Sequence, residues 1–153
     1  MFRSLTIGAV SVAFLTMVVS AVAQQAQYGT AAEAKAMLEK AVAAVKADKA
    51  KAIEVFNKGE GGFKDRDLQP FCFNISDGKV IAATVASVFN TDVKALKDKT
   101  GKVFGEELYK AAEEGKINEV SYMFPRPGET EPAQKTSFVA KVGDLGCGVG
   151  YFK

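Results

Sequence analysis

The chain has 153 residues, 48% hydrophobic and 25% charged, with a net charge of +2, two Cys and neither His nor Trp. Without His there is no Ser-His-Asp triad, no Cys-His nucleophile, no His-ligated zinc and no C-x-x-C-H haem attachment. The near-neutral balance removes the electrostatic case for nucleic acid. The composition is that of one modest globular domain, not of a disordered chain or a disulfide miniprotein.

Met1-Phe2-Arg3 is a short basic start, and Arg3 is the only charged residue before Glu33. Leu5 to Ser20 is apolar apart from small residues and Ser or Thr, and Ala21-Val22-Ala23 followed by Gln24-Gln25 fits the small-x-small rule of a signal-peptidase site. Residues 1–23 are therefore expected to be a secretory signal peptide, and residues 24–153 the mature domain. The alternative is an uncleaved anchor, because Leu5 to Ala23, about 19 residues, is roughly long enough to span a bilayer. Export would bring Cys72 and Cys147 into an oxidising compartment, which favours a structural disulfide. Such a bond would close a loop of about 75 residues and stabilise by roughly 4 kcal/mol on the chain-entropy model. Two buried free thiols are the alternative. Redox catalysis is least favoured, since there is no C-x-x-C pair and no cationic neighbourhood.

Gln24 to Gly29 is a polar leader. Thr30-Ala-Ala-Glu33 is a capping box, and Leu38, Val42 and Val45 form the apolar stripe of the Ala-rich helix that follows. Asp48 is placed to cap a second helix through Ile53 and Phe56, stopped by Gly59, Gly61 and Gly62. Leu68 to Ile75 reads as a strand. Gln69, Phe71, Phe73 and Ile75 point one way, and Leu68, Pro70, Cys72 and Asn74 the other. Ser76-Asp77-Gly78 is a hairpin turn, and Lys79 to Val85 is the expected return strand. The sequon Asn74-Ile75-Ser76 falls within the first strand and is discounted.

Val88 to Lys99 is irregular. Thr100 is then expected to cap a helix carrying Val103, Phe104, Leu108 and Ala111, with Gly115 at its C-cap. Strands at 118–124, 135–142 and 146–152 complete the chain, separated by the Pro-rich loop from Pro125 to Pro132 and by the Gly143-Asp144 turn. Helices segregated from hairpin-linked strands argue for an α+β fold with one antiparallel sheet.

This order resembles the single Cache domains, extracytoplasmic sensor modules with a PAS-like sheet. The resemblance is carried by Gly62-Phe63 through Asp67-Leu68 before the aromatic strand, by the Ser76-Asp77-Gly78 turn, and by Asp98 through Gly101 and Phe104 into Glu107-Leu108. It continues in Val120-Ser-Tyr122-Met-Phe124-Pro125-x-Pro127, in Lys135-Thr-Ser-Phe138, and in Gly143-Asp144 through Gly150-Tyr151. The second strand departs from the family pattern: Ala82-Ala83-Thr84-Val85 stands where many members have a His-Pro-type segment. The resemblance implies a five-stranded antiparallel sheet of order 2-1-5-4-3, with the long N-terminal helix on one face and a ligand pocket on the other. Strands one and five then become central neighbours, which brings Cys72 and Cys147 within reach of each other.

Tyr122, Phe124 and Arg126 alternate toward one side at the mouth of the Pro-rich loop, and Lys135 begins the neighbouring strand. An aromatic floor with a guanidinium and an ammonium at its rim suits a small carboxylate. With Phe71 and Phe73 on the facing strand, these six are the candidate ligand-binding residues. Core packing of the aromatics with a solvated Arg126 is the plainer alternative. Gly146, Gly148 and Gly150 form a side-chain-free stripe on the last strand, open to a helix or to a ligand. Asp65 and Asp67 read as turn formers. No pair of residues has the spacing of mutual activation, so no catalytic, metal or cofactor site is assigned. The expectation is a secreted, periplasmic, non-enzymatic binding module for a small polar metabolite such as an organic acid. With Lys153 directly after the last strand, signalling would pass through a membrane sensor or transporter partner. A dimerisation domain with a self-filled pocket is the rival.

Overall fold

A computed structural model describes residues 27–153; the export signal predicted over residues 1–23 lies outside them. Helix α1 (Ala31–Ala47) opens on the expected capping box: Glu33 N–H donates to the Thr30 hydroxyl, and Thr30 N–H donates back to the Glu33 carboxylate at 2.7 Å. Its buried face is Ala34, Met37, Leu38, Ala41 and Val45, with Val42 only half-buried. Small Ala residues occupy that face because α1 lies directly on the last two strands. Asp48 ends α1 and caps α2 (Lys49–Lys58), accepting from Lys51 N–H at 3.0 Å. Gly59, at φ 67°, closes α2 in the left-handed conformation that an L side chain adopts only with strain.

Five strands follow: β1 (Pro70–Asn74), β2 (Val80–Ala82), β3 (Asn118–Pro125), β4 (Pro132–Val142) and β5 (Leu145–Phe152). They form one antiparallel sheet in the order β2-β1-β5-β4-β3. This is the α+β architecture and strand order expected from the resemblance. The first and last strands pair at the centre, and Cys72 faces Cys147 across them with Cα atoms 4.1 Å apart, joined by a disulfide. Both cysteines are fully buried.

Strand parity divides the core in two. Leu68, Cys72, Phe138, Ala140, Leu145, Cys147 and Val149 face α1 and α2. Phe73, Val80, Val120, Tyr122 and Val139 face the other way, against Val93 of a 3₁₀ turn (Val93–Ala95) and against Phe104 and Leu108 of α3 (Phe104–Ala111). Gly105 lets α3 touch the turn. A Cβ there would come within 1.7 Å of the Val93 carbonyl oxygen, and Gly105 N–H bonds to Leu96 O at 3.1 Å.

Three local expectations are corrected. The return strand ends at Ala82 rather than Val85, because Asn57 of α2 takes over the backbone there, donating to Ile81 O and accepting from Ala83 N–H. Thr100 does not cap α3. Asp98 gathers the amides of Thr100 and Lys102 into a turn, and the helix starts only at Phe104. Gly115 is not its C-cap. The helix stops at Ala111, whose carbonyl accepts from the Asn118 side chain at 2.9 Å. The glycine stripe of β5 admits side chains of the flanking strands and, at Gly146, the end of α3, where an added Cβ would come within 2.9 Å of Ala112 Cβ. A Cβ on Gly146 would strike the Phe73 ring at 2.4 Å, one on Gly148 the Phe71 ring at 2.4 Å, and one on Gly150 the Lys135 stem at 2.5 Å. Side chains of the flanking strands lie across β5 and use the space the glycines leave.

Two outcomes follow. Replacing Cys72 and Cys147 together by Ala lowers the unfolding free energy by about 2–4 kcal/mol in denaturant titration, and the wild-type chain takes up no alkylating reagent until it is reduced. Gly148→Ala costs about 1–3 kcal/mol, because the added methyl meets Phe138 O at 2.8 Å as well as the Phe71 ring.

Candidate functional site

On the face opposite α1, the aromatic floor forms from residues two apart on adjacent strands. Tyr122 of β3 sits across from Lys135 of β4. The Tyr122 ring stacks on Phe104 of α3, centroids 4.1 Å apart and planes within 5°, and Phe124 stands edge-on to both. Burial pushes the Tyr122 hydroxyl up to about 12, and it bonds to the Ser137 hydroxyl at 2.8 Å. Tyr122 is therefore neutral and already satisfied, a floor rather than an acid or base.

Above this floor lies a cavity of about 40 Å³ lined by Phe71, Leu96, Phe104, Tyr122, Phe124 and Lys135 among others. It is apolar and nearly filled by its own rings. At Thr84, Val85, Phe124 and Lys135 it adjoins a wider, more polar cavity of about 330 Å³ toward the Pro-rich loop. That cavity is lined by Asp67, Gln69, Arg126 and Glu129. Its size is in the range of small-molecule sites.

Lys135 stands at the junction and is only 8% exposed. Its ammonium lies 5.1 Å from the Phe124 ring centre and 4.8 Å from that of Phe152, two cation–π contacts. Among the described residues it makes no ion pair or hydrogen bond. Burial pulls its pKa down to about 8, against an opposing upward pull from the Asp67 charge. Arg126 stacks its guanidinium over Tyr28 and Phe152, at 5.2 and 5.4 Å, and donates to the Lys153 carbonyl.

The six predicted residues thus divide. Phe71, Tyr122, Phe124 and Lys135 line the inner cavity, while Arg126 lines the outer one together with Phe124 and Lys135. Phe73 lines neither; it is fully buried against Gly146 and the Tyr109 ring.

Sequence reasoning missed two parts of the site. Asp65 forms a turn with Leu68, as expected, but Asp67 lines the outer cavity. The signal was available: Asp67 shares parity with Gln69 and Phe71, so the alternation extended by one step places it on the pocket face. The polar leader is the second part. Gly29 N–H donates to Asp67 Oδ1 at 2.6 Å, the Tyr28 hydroxyl donates to Glu129 at 3.1 Å, and Arg66 donates to the Tyr28 carbonyl at 3.0 Å. Arg66 is held in turn by Glu33 and Asp65 at 2.8 and 2.7 Å. The amide of Thr30, and after it the guanidinium of Arg66, draw the Glu33 carboxyl down to about 2. No sequence pattern signalled that Tyr28 and Gly29 would bond to this rim.

A Cache domain family model matches residues 11–153. The chain belongs to the Cache domain family. Its fold is similar to solved sensor domains at low identity. A methyl-accepting chemotaxis protein from Vibrio parahaemolyticus RIMD 2210633 aligns with TM-score 0.63 and 20% identity over 79% of this chain and 86% of that one. The periplasmic sensor domain of a chemotaxis protein aligns with TM-score 0.59 and 20% identity over 79% and 88%. A Cache chemosensory domain described for carboxylic acid recognition aligns with TM-score 0.56 and 19% identity over 79% and 86%. No curated protein matches significantly.

The buried ammonium of this Cache domain has a stability signature. Lys135 titrates near 8 in the folded state and near 10.5 when exposed, so between those values the unfolded chain binds more protons and folding stability rises with pH. Lys135→Met removes the buried charge. Its melting temperature at pH 7 exceeds that of the wild type, and the gap narrows toward pH 10 as the wild-type amine discharges.

Proposed function

We propose that this Cache domain is a non-enzymatic, periplasmic sensor module that binds a small carboxylate at the junction of its two cavities. The observation that carries the reading is Lys135: an ammonium almost fully buried, held by rings and without a paired anion among the described residues. Keeping such a charge costs stability, and a bound anion offsets that cost. The ligand carboxylate sits against Lys135 with Arg126 at the rim, and its hydrocarbon end turns toward Phe71, Phe124 and the inner cavity. The carboxylic acid named for one structural neighbour and the periplasmic setting named for another support the same reading. Residues 1–23 serve as the export signal, and the bound state is passed to a membrane sensor or transporter.

The tightness of the inner cavity favours one rival, a domain whose interior is filled by its own rings and whose sheet and helices serve dimerisation. Titration calorimetry with acetate, propionate and pyruvate separates the two. Binding of at least one acid, lost in Lys135→Met, is the expected result; no heat from any, with a concentration-dependent dimer, establishes the rival. Affinity also falls as pH rises through about 8, by roughly tenfold between pH 7 and pH 9, because the anion binds only the charged amine. A pH-independent affinity removes Lys135 from the site.

A further inference from the structure

The stretch from Val80 to Thr91 carries no charged residue, in a chain that is 25% charged. Only its first three residues belong to the sheet. From Ala83 the backbone is irregular, and Val85 and Phe89 stand 38% and 46% exposed. Among the described residues, these are two of the three large apolar side chains left in solvent. Scattered apolar side chains need no explanation, but here Val85, Ala86 and Phe89 are all exposed on one short loop. The loop borders a groove lined also by Lys58 and Lys64 and by no acidic residue. Lys58 leans on Glu54 of its own helix, while Lys64 makes no ion pair among the described residues.

Strand register fixes where this loop sits. Ala82 pairs with Cys72 in the first half of β1, and Lys135 near the start of β4 pairs with Phe152 at the end of β5. The strands β2 and β5 therefore end where β1 and β4 begin. Tyr28 packs edge-on against Phe152 at 6.2 Å, so the chain enters the domain at that same end. The few residues between Ala23 and Tyr28 reach at most about 17 Å when extended. As long as the expected signal or anchor stays attached, this is the end of the domain that faces the lipid surface.

We infer that the loop over residues 83–89, with Lys58 and Lys64 beside it, is a contact surface for an anionic phospholipid membrane. The side chains of Val85 and Phe89 enter the headgroup layer, and the two ammoniums lie against lipid phosphates. Apolar insertion and basic charge together are what hold a protein at an interface, and each cation close to an anionic surface adds about fivefold in affinity. A second copy of the chain fits this face less well, because a two-fold contact would set the lysines of one copy against those of the other. The inference does not depend on which ligand the cavities hold.

The test uses the absence of Trp from the chain: Phe89→Trp supplies a single fluorophore in the exported protein. Val103→Trp is the control, since Val103 is also exposed but lines neither this groove nor the outer cavity. Vesicles of phosphatidylcholine with an equal part of phosphatidylglycerol are expected to move the Phe89→Trp emission to shorter wavelength, and brominated acyl chains to quench it. Val103→Trp is expected to stay unchanged, and Lys58→Gln with Lys64→Gln to weaken vesicle affinity by about 25-fold. No response of Phe89→Trp, an equal response at both positions, or affinity unchanged in the lysine pair overturns the inference. A shift that grows with protein concentration in the absence of vesicles also overturns it and assigns the face to a second copy. If Phe89→Trp does not fold, co-sedimentation of the wild type with these vesicles, set against the lysine pair, decides alone.

Discussion

The antiparallel pairing of β1 with β5 is the constraint on which the molecule depends. It joins the first strand of the sheet to the last, and the Cys72–Cys147 bond fastens the pair at its middle. A slip of one residue would exchange the faces of β1 relative to β5. It would turn Phe71 and Phe73 under α1 and bring Leu68 into the polar cavity. The covalent bond forbids that slip. It thereby settles which residues of the central strands join the helix-covered layer and which join the site.

Given that register, the site follows from space and charge together. Three glycines on β5 leave a trough, and the rings of Phe73 and Phe71 and the stem of Lys135 lie in it. The trough lets a long cationic side chain run across the sheet and end between Phe124 and Phe152. A buried ammonium in that position opposes folding, and burial lowers its pKa to about 8. The inner cavity is small because α3 closes it with Phe104 stacked on Tyr122. The outer cavity is larger because much of its wall is loop rather than packed helix.

That wall connects the site with the chain entering the domain. Tyr28 and Gly29 are fastened to Glu129, Arg126, Arg66 and Asp67, all on loops around the outer cavity. Arg66, with φ 56°, reaches back to Glu33 in the first turn of α1. The rim and the start of the long helix are thus one electrostatic unit, and a change in Asp67 or Arg126 bears directly on Tyr28 and Gly29.

Elements with a local cause were legible in the amino-acid order. The Thr30–Glu33 box, Asp48 between two helices, Gly59, and the alternation of β1 and β5 each depend on residues a few positions apart. Composition and the Ala-Val-Ala junction predicted export, and export predicted the bonded cysteines before any geometry was known. Thr100 and Gly115 misled because Asp98 and Asn118 outcompeted them for the same backbone groups, and ranking such contests requires knowing who is near. The site was legible in part for the same reason: parity showed that Tyr122, Phe124 and Lys135 share a face. Only the folded chain revealed that Phe73 fills a glycine gap, that Asp67 lines the outer cavity and that Tyr28 packs on Arg126 and bonds to Glu129 at its rim. Those contacts join residues far apart in the chain, at distances set by packing, and no local rule encodes them.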